Sequence, residues 1–416
     1  MAGSGQTRVV DVDRLKRSWA LVAAHGDKVA MRFYSRLFTA VPEVRQMFPL
    51  SMAAQRDRLV TALGFTVSHV DDLDRLAPYL QHLGRDHRKF GVLADHYGPV
   101  GDALLATLGD FLGRDWTIDL AHDWADAYAL VASTMIAAAD EASLTSPAVW
   151  TAEVVAHERR TFDIAVLTVQ PDEPYGYVPG QSMALETAAR PRMWRYYSPA
   201  NAPRDDGSID LHVRRTPGGP VSSALVDRVQ KGDMVRLGAP VGWRLTLDDD
   251  GPLDLVLIAG GTGLAPMKAL VEQVAAETLA GGPIRRVELF VGGRRSTELY
   301  ELAALRALED EHGWLAVTAV VAHDVRWRSS MARSRPDERR PEVGEVGEVA
   351  VRAIGRPSDR AVYVCGGDAM VTATLDLLRE AGWPREHLHF EGFQGLGGDI
   401  YGHPDAPLER RGTFQP

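Results

Sequence analysis

The hydrophobic pattern of the chain changes twice, and this change constrains the possible fold more than any other feature. Residues 12–142 place apolar side chains three and four positions apart, which predicts helices almost throughout. From about 150 to 250 the apolar runs are short and separated by Gly, Pro and Asp, which predicts an antiparallel β-barrel. From 253 onward, buried strands alternate with helices, which predicts a parallel α/β sheet. We therefore expect a multidomain protein with an all-α, a β-barrel and an α/β domain in that order.

Charge and cysteine content exclude several classes of protein. The formal net charge of the 416 residues is −10, so we expect no nucleic-acid partner. Cys365 is the one cysteine, which rules out an intramolecular disulfide and fits a reducing cytoplasm. The N-terminus lacks the apolar core of a signal peptide, and no apolar run is long enough for a membrane span. We expect a cytoplasmic protein without an obligatory protein partner.

The segment "GRDHRKFGVLADHYG", residues 84–98, contains the histidine of greatest interest, His87. A single histidine on a helix is usually a surface or core residue, and the chain contains thirteen. Its context is different, because the upstream segment "FYSRLFTAVPEVRQMFPLSMAAQRDRLV", residues 33–60, has aromatic and polar residues at distinctive spacings. Together these segments resemble the globin domain of bacterial flavohaemoglobins, a likeness that covers roughly residues 12–140.

The resemblance implies a haem b site in the all-α domain. His87 would be the proximal ligand of the iron, because an imidazole nitrogen is a good fifth ligand that leaves the sixth position for a diatomic gas. Phe48 would pack on the haem face and Leu59 would close the distal pocket. Tyr34 and Gln55 would form the distal polar pair, since a tyrosine hydroxyl can donate to the negatively polarised oxygen of bound O₂. The alternatives are an aromatic core residue at Tyr34 and a solvated polar residue at Gln55.

The proximal side departs from the family pattern. In the family, a tyrosine corresponding to Tyr97 and a glutamate on the last globin helix form a relay to the proximal imidazole. Alignment of the last helix on Trp124 and Tyr128 places Ala139 where that glutamate belongs. Asp86 directly precedes His87 and adds a negative charge beside it. We therefore expect an incomplete relay.

The segment "RYYSPAN", residues 195–201, resembles the flavin-binding motif of the ferredoxin-reductase family, and "YVPGQSM" and "GGPVSSAL" flank it in the family's order. The resemblance implies that the guanidinium of Arg195 binds the FAD pyrophosphate, as its planar fork permits. The FAD contacts so implied are Arg195, Tyr196, Tyr197, Ser198, Ser222 and Ser223. Tyr197 would lie against the flavin ring and the Ser198 hydroxyl near its reactive nitrogen. Ser182 stands where the family often has an aromatic residue.

The segment "LVLIAGGTGLAPM", residues 255–267, runs from a strand through a glycine turn into a helix. Such a turn can receive a pyrophosphate on its backbone amides and the helix N-terminus. The residues implied by its resemblance to the reductase turn are Gly261, Thr262, Gly263, Leu264, Ala265 and Pro266.

Two later segments resemble the remaining reductase motifs. "YVCGGDAM" would place Cys365 and Gly366 beside the nicotinamide ring, with inert packing of the thiol as the alternative. "HFEGF" would bring Glu391 and Phe393 to the flavin. Two residues differ from the family pattern, since Gly367 replaces a proline and Gly392 replaces a cysteine.

The choice between NADH and NADPH stays open. Arg294 and Arg295 follow the second strand of the α/β domain, where arginine can meet a 2′-phosphate. The alternative is a solvated basic loop.

The resemblance implies a domain order and an activity. We expect a globin domain at 1–146, an FAD-binding barrel at 147–251, an NAD(P)-binding domain at 252–395 and a flexible tail at 396–416. The expected activity is nitric oxide dioxygenase, in which NAD(P)H reduces FAD, FAD reduces haem, and O₂ and nitric oxide give nitrate. The alternatives are a haem–flavin reductase with another acceptor, such as ferric iron, a quinone or a peroxide, and a gas-binding sensor.

Overall fold

The computed structural model describes residues 10–248, 254–322 and 340–392. The chain divides into two compact units between Val149 and Trp150. Phe393 and the expected tail lie outside the described residues. None of the helices described is both long and apolar enough to cross a membrane.

The first unit is entirely helical in the part of the chain described. Asp11 and Thr117 cap the first and last helices by accepting hydrogen bonds from the amides of Arg14 and Leu120. Most of these amphipathic helices pack their apolar faces into one large core, and the fourth helix packs with the sixth in a smaller one. The helices are α1 (Val12–Ala23), α2 (Asp27–Ala40), α3 (Ala53–Ser68), α4 (Leu73–His87), α5 (Tyr97–Leu112) and α6 (Ile118–Ser143).

Helices α4 and α6 approach each other closely at a glycine. A Cβ atom on Gly84 would overlap the backbone carbonyl of Met135, so only glycine fits at this crossing. Gly84 lies one turn before His87. The close approach therefore fixes the end of α4 that carries the predicted ligand.

The second unit begins with an antiparallel sheet of six strands in the order β4-β3-β6-β1-β2-β5. An antiparallel bridge between Pro199 and Leu211 joins the two ends, so the sheet forms a nearly closed barrel. The strands are β1 (Trp150–Arg159), β2 (Ile164–Pro171), β3 (Ser182–Thr187), β4 (Arg195–Tyr197), β5 (Ile209–Arg214) and β6 (Met234–Val241), with helix α7 (Pro220–Asp227) after β5.

A parallel sheet of six strands follows in the order β10-β9-β8-β7-β11-β12. Its strands are β7 (Asp254–Gly260), β8 (Val287–Gly293), β9 (Leu315–Val321), β10 (Glu342–Val343), β11 (Arg360–Gly366) and β12 (Leu388–Gly392). The described helices are α8 (Leu264–Leu279), α9 (Leu302–Glu311), α10 (Val346–Ile354) and α11 (Asp368–Glu380).

Alternate residues of β7 contribute to two separate cores, one on each face of this sheet. Leu255 and Leu257 face one core, and Val256 and Ile258 face the other. Burial on both faces explains the continuous apolar runs of the sequence. The neighbours of β7 are β8 and β11, so the strand order reverses there, and in sheets of this kind the ligand crevice lies at the carboxyl ends of such strands. The predicted sequence of all-α, β-barrel and α/β architecture is confirmed, while the domain boundaries stay predictions.

Candidate functional site

His87 is the last residue of α4 and its ring is fixed by one hydrogen bond. Nδ1 donates to the backbone carbonyl of Leu83 at 2.7 Å. A carbonyl only accepts, so the proton lies on Nδ1, and Nε2 keeps a free lone pair. Burial lowers the pKa of His87, against the raising effect of the Asp86 charge and the Leu83 hydrogen bond. The ring is therefore neutral and oriented as a metal-binding imidazole must be.

Asp86 and Lys89 form a buried ion pair on either side of His87. Both side chains are at least 95% inaccessible to solvent, and the Lys89 ammonium donates to the Asp86 carboxylate. The negative charge expected beside the histidine is thus compensated by Lys89, which was not among the predicted site residues. The spacing of three residues between Asp86 and Lys89 at the end of a helix is the sequence pattern that predicts such a pair.

Tyr34 and Gln55 are brought together although 21 positions separate them in the chain. The Gln55 side-chain amide donates to the Tyr34 hydroxyl at 3.3 Å. Tyr34 also makes an edge contact with Phe48, with ring centroids 5.4 Å apart, and Leu59 packs against the same apolar core. Tyr34, Gln55 and Phe48 therefore form one cluster of predicted haem-site residues, and Leu59 shares their apolar core.

Burial raises the pKa of Tyr34 to about 12, against smaller lowering effects from Gln55 and from the Arg58 charge. The hydroxyl therefore keeps its proton at neutral pH and is available as a donor. The Arg58 charge also acts on Lys89, whose pKa is lowered mainly by burial. Arg58, on α3, thus lies within electrostatic range of both the Tyr34 cluster and the turn after His87, although it was not among the predicted site residues.

Tyr97 does not join His87 in a relay. Among the described residues its hydroxyl has no hydrogen-bond partner, and its ring packs on the core formed by α4 and α6. Its backbone carbonyl accepts from the hydroxyl of Tyr128 at 2.6 Å. The acceptor for the His87 imidazole is instead the neutral carbonyl of Leu83. The catalytic contribution predicted for Tyr97 has no geometric support.

The segments predicted to bind FAD meet on the barrel. The Tyr177 hydroxyl of "YVPGQSM" donates to the carbonyl of Asn201, which ends "RYYSPAN", at 2.8 Å. Strands β3 and β4 pair so that Met183 lies opposite Tyr197 and Leu185 opposite Arg195. The side chains of this motif, Arg195, Tyr196, Tyr197 and Ser198, are all partly exposed. These side chains are therefore accessible to a bound group, while the pairing of β4 with β3 fixes the backbone of the motif.

Ser222 and Ser223, at the start of α7, have different surroundings. The Ser222 hydroxyl accepts from the amide of Thr216 and donates to the carbonyl of Gly219, at 3.1 and 3.2 Å. It is therefore occupied in closing the glycine turn. The Ser223 hydroxyl makes no hydrogen bond to a described residue, and Ser223 is partly exposed. Of the two, Ser223 is the one free to meet a phosphate.

The glycine turn after β7 lies against the end of β11. Gly261 has a φ of 56°, which favours glycine. A Cβ atom on Gly263 would overlap the Cys365 carbonyl, so the turn packs directly on Cys365 and Gly366. Thr262 lies between these two glycines, and Leu264, Ala265 and Pro266 open helix α8. The backbone amides of the glycine turn are thus placed where the strand order reverses, which is where a pyrophosphate binds in sheets of this kind.

Cys365 and Glu391 are opposite one another on adjacent strands, β11 and β12. Burial raises the pKa of the Cys365 thiol well above its usual range, and the Glu391 charge raises it further. The thiol is therefore protonated and a poor nucleophile. Burial also raises the pKa of Glu391 to about 7, against the Arg244 charge. A carboxyl group that changes protonation near neutral pH therefore lies at the carboxyl ends of the strands.

Comparison with known proteins gives three matches that follow the chain in order. Family models for globin, for an oxidoreductase FAD-binding domain and for an oxidoreductase NAD-binding domain match residues 31–135, 148–244 and 257–376. A curated protein of Chromobacterium violaceum named "Flavohemoprotein" is 28% identical over 95% of this chain and 99% of its own length. Another of that name from Bacillus subtilis is 25% identical over 92% and 96%. The chain belongs to the flavohaemoprotein family.

Solved structures agree with this family at the level of the fold. The flavohemoglobin of Malassezia yamatoensis, solved with bound FAD and heme, superposes with a TM-score of 0.74 at 19% identity, over 92% of this chain and 98% of its own. The cytochrome P450 reductase of Amycolatopsis is 29% identical, with a TM-score of 0.51, over 60% of this chain and 71% of its own. A flavohaemoprotein carries domains for haem, FAD and a nicotinamide dinucleotide, so the predicted cofactor set is confirmed.

The two glycine departures of this flavohaemoprotein lie in different surroundings. Gly367 has a φ of −64° and open space around its Cα, so the backbone keeps the conformation that proline would impose. A Cβ atom on Gly392 would overlap the carboxylate of Asp368. A cysteine here would therefore require the end of the Asp368 side chain to move, a relationship between distant positions that sequence alone does not reveal.

Proposed function

We propose that this flavohaemoprotein is an NAD(P)H-dependent nitric oxide dioxygenase. Two molecules each of nitric oxide and O₂, with the two electrons of one NAD(P)H, give two nitrate ions, NAD(P)⁺ and a proton. The Tyr34–Gln55 hydrogen bond carries the proposal. Because Gln55 donates to the Tyr34 oxygen, the proton of this hydroxyl is left to donate from a buried aromatic cluster to a bound oxygen. The presence of both reductase domains supports turnover rather than gas sensing alone.

The bound groups supply the chemistry that side chains lack: haem iron binds the gas, and flavin converts a hydride into single electrons. His87 fits the iron because its Nε2 lone pair is free while Nδ1 is held by Leu83. The neutral state favoured by burial is the state that ligates a metal.

Tyr34 and Gln55 act on the oxygen side of the pocket. Because its pKa is about 12, the Tyr34 hydroxyl stays protonated throughout the neutral pH range. It can therefore donate a hydrogen bond to a negatively polarised oxygen. The Gln55 amide donates to the same hydroxyl oxygen and so leaves the Tyr34 proton directed elsewhere. Phe48 restricts the position of the Tyr34 ring through its edge contact.

The reductase half supplies binding and orientation. We assign the flavin ring to Tyr197 and Ser198, and the FAD phosphates to Arg195 and Ser223. All four residues are partly exposed. Arg195 offers a fork of donors that matches phosphate oxygens.

The nicotinamide dinucleotide is assigned to the crevice at the carboxyl ends of β7 and β11. The turn from Gly261 to Pro266 would hold its pyrophosphate, with Cys365 and Glu391 near the nicotinamide ring. Arg294 and Arg295 are both exposed just beyond β8 and remain available to a 2′-phosphate. A comparison of kcat/KM for NADH and NADPH decides between the two donors.

Steady-state turnover tests the proposal. Purified protein loaded with haem and FAD is expected to consume nitric oxide only when NAD(P)H and O₂ are both present, with one nitrate formed per nitric oxide. Consumption that continues without O₂, or products other than nitrate, would favour the alternative of a reductase with another acceptor. The neutral Leu83 carbonyl behind His87, which makes the imidazole a weaker electron donor than a carboxylate would, motivates that alternative.

The cytoplasmic location and the lack of an obligatory protein partner stay predictions. So do the assignments of O₂ and nitric oxide as substrates of this chain.

A further inference from the structure

Lys268 and Glu272 join the helix of the glycine turn to the loop that follows the flavin motif. The two residues are four positions apart on α8, and the Lys268 ammonium donates to the Glu272 carboxylate at 2.6 Å. The same ammonium donates to the backbone carbonyl of Ala200 at 3.2 Å. The other oxygen of the carboxylate accepts from the amide of Ala202 at 3.1 Å. We call this ion pair and its two backbone contacts the Lys268–Glu272 bracket.

The bracket holds a loop of the barrel whose backbone is buried. Ala200 and Asn201 are completely buried, and Ala202 is 9% exposed. The buried carbonyl of Ala200 and the buried amide of Ala202 find partners on α8, in the α/β domain. The Asn201 side chain donates to the carbonyl of Ser208 and accepts from the amide of Asp210, so the barrel holds the middle of the loop. The loop is therefore a fixed surface on which α8 docks.

The bracket lies between the sites proposed for the two redox groups. Lys268 comes two positions after Pro266, the end of the turn assigned to the pyrophosphate of the nicotinamide dinucleotide. Ala200 comes two positions after Ser198, which is assigned to the flavin ring. The bracket therefore connects the backbone of one site to the backbone of the other through very few residues.

Further contacts between the barrel and the α/β domain lie at the segment after β8. The Tyr300 hydroxyl and His212 Nδ1 are 2.9 Å apart, and Arg214 pairs with Glu298 at 3.2 Å. These contacts keep the two domains together when the bracket is lost, but they involve neither α8 nor the loop after the flavin motif. Without the bracket, turning about these contacts moves α8 relative to the flavin motif.

We propose that Lys268 and Glu272 are positioning residues that set the distance between the nicotinamide ring and the flavin for hydride transfer. The inference rests on the proposed function, which assigns the two rings to these sites. In this step a hydride leaves the nicotinamide ring with two electrons and adds to the flavin, so the dinucleotide is oxidised and the flavin is reduced. Lys268 and Glu272 take no part in the chemistry and act through the backbone that they hold.

Loss of the bracket should affect the rate of this step and not the affinity for the dinucleotide. Transfer between two bound groups depends steeply on their distance and alignment. Affinity is set largely by the pyrophosphate at the glycine turn, which the bracket does not form. A lower limiting rate with unchanged affinity is therefore the expected result.

Anaerobic stopped-flow reduction of the FAD-loaded full chain tests the proposal. The reductant is NADH or NADPH, whichever the parent uses faster, at concentrations that separate limiting rate from affinity. We expect Lys268→Met to lower the limiting rate of FAD reduction about tenfold. The dissociation constant of the dinucleotide should change less than about twofold. Reduction by dithionite, which needs no nicotinamide site, should keep the parent rate.

A second variant weakens the bracket without removing it. Glu272→Gln keeps an acceptor for the Ala202 amide but loses the ion pair with Lys268. We expect it to slow reduction by NADH or NADPH in the same direction, by about threefold.

An equilibrium measurement reports the same geometry without turnover. NAD⁺ or NADP⁺ added to the photoreduced protein should give the long-wavelength absorbance of a nicotinamide ring stacked on the flavin. At saturating dinucleotide we expect this absorbance to be weaker in Lys268→Met than in the parent.

Arg306 and Glu309 provide a matched control, because they make the same arrangement within the α/β domain. Arg306 pairs with Glu309 at 2.7 Å on α9, and the pair bonds the carbonyl and the amide of Val317 on β9. Arg306→Met should therefore lower the thermal unfolding temperature to an extent comparable with Lys268→Met and leave FAD reduction at the parent rate.

Three results would overturn the proposal: a parent rate of FAD reduction in Lys268→Met, an undiminished stacking absorbance in that variant, or an equal loss of rate in Arg306→Met. If Lys268→Met does not retain FAD, Glu272→Gln decides, and a parent rate in that variant overturns the proposal. Failure of the reaction with O₂ and nitric oxide leaves these measurements intact. A parent whose FAD is reduced by neither NADH nor NADPH would contradict the proposed function itself.

Discussion

The Gln55 side-chain amide donates a hydrogen bond to the Tyr34 hydroxyl, 3.3 Å away, across the gap between α3 and α2. Because the hydroxyl oxygen is the acceptor, the Tyr34 proton is left for another partner. This relationship places a donor of fixed direction in the pocket assigned to the bound gas, and it makes Tyr34 the first residue to test.

Replacement of Tyr34 by phenylalanine should speed O₂ release from the ferrous protein about tenfold, the factor for one well-placed hydrogen bond. The measurement is stopped-flow displacement of O₂ from haem-loaded protein. Tyr128→Phe is a matched control, because it removes a hydroxyl whose acceptor is the Tyr97 backbone carbonyl. An unchanged rate in Tyr34→Phe would remove the role assigned to this hydroxyl.

The same O₂ release rate should be independent of pH from 6 to 9. Burial raises the pKa of Tyr34 to about 12 from an ordinary value of 10, so the folded protein keeps the proton after an unfolded chain would lose it. The stability from this group is therefore complete below pH 10 and is lost as the pH rises toward 12. Faster O₂ release at pH 8 than at pH 6 would show that the hydroxyl ionises earlier than its burial implies.

The iron–histidine stretching frequency of the ferrous protein should be lower than in relatives with a complete relay. His87 donates to the neutral carbonyl of Leu83, which polarises the imidazole less than a carboxylate does. Resonance Raman spectroscopy gives the value directly. Tyr97→Phe should leave it unchanged, since the Tyr97 hydroxyl has no hydrogen bond to a described residue. A frequency as high as in those relatives would show that another group replaces the relay glutamate.

Replacement of Glu391 by glutamine should stabilise the protein progressively as the pH rises from about 4.5 to 7. Burial raises the Glu391 pKa from 4.5 to about 7, so in this interval the unfolded chain loses a proton that the folded protein retains. The parent therefore loses stability with rising pH, by roughly 2–3 kcal/mol, and the glutamine variant does not. Thermal unfolding of both proteins with FAD bound measures the difference. A constant difference across this range would contradict the raised pKa of the carboxyl group.

Gly263→Ala should destabilise the nucleotide-binding domain by about 2–4 kcal/mol, because its Cβ would overlap the Cys365 backbone carbonyl. Denaturant unfolding measures the loss. Gly367→Ala, where nothing lies within 4 Å of the added Cβ, is the matched control for stability and should change it by less than about 0.5 kcal/mol. Equal effects of the two substitutions would contradict the close contact between the turn and β11.

Much of the fold could be predicted from the sequence because it rests on local patterns. Residues adjacent in sequence determine the helical periodicity of the first domain. They also determine the strand, glycine turn and helix around Gly261. The position of His87 was predicted from its resemblance to the family, and its free Nε2 is consistent with that assignment.

The remaining features depend on contacts between distant parts of the chain. The folded backbone is needed to see the Leu83 carbonyl as acceptor, the compensation of Asp86 by Lys89 and the contact between Gly392 and the Asp368 side chain. The pairing of Ser182 with Ser198 likewise follows from strand register, which a single sequence specifies only weakly.

Stopped-flow mixing of the oxygenated ferrous protein with nitric oxide tests the proposed dioxygenase most directly. We expect the haem to oxidise in a single fast phase with one nitrate formed per haem, and NAD(P)H then to restore the ferrous state through FAD. Nitrate formation no faster than with free haem, or a haem that NAD(P)H does not reduce, would contradict the proposal.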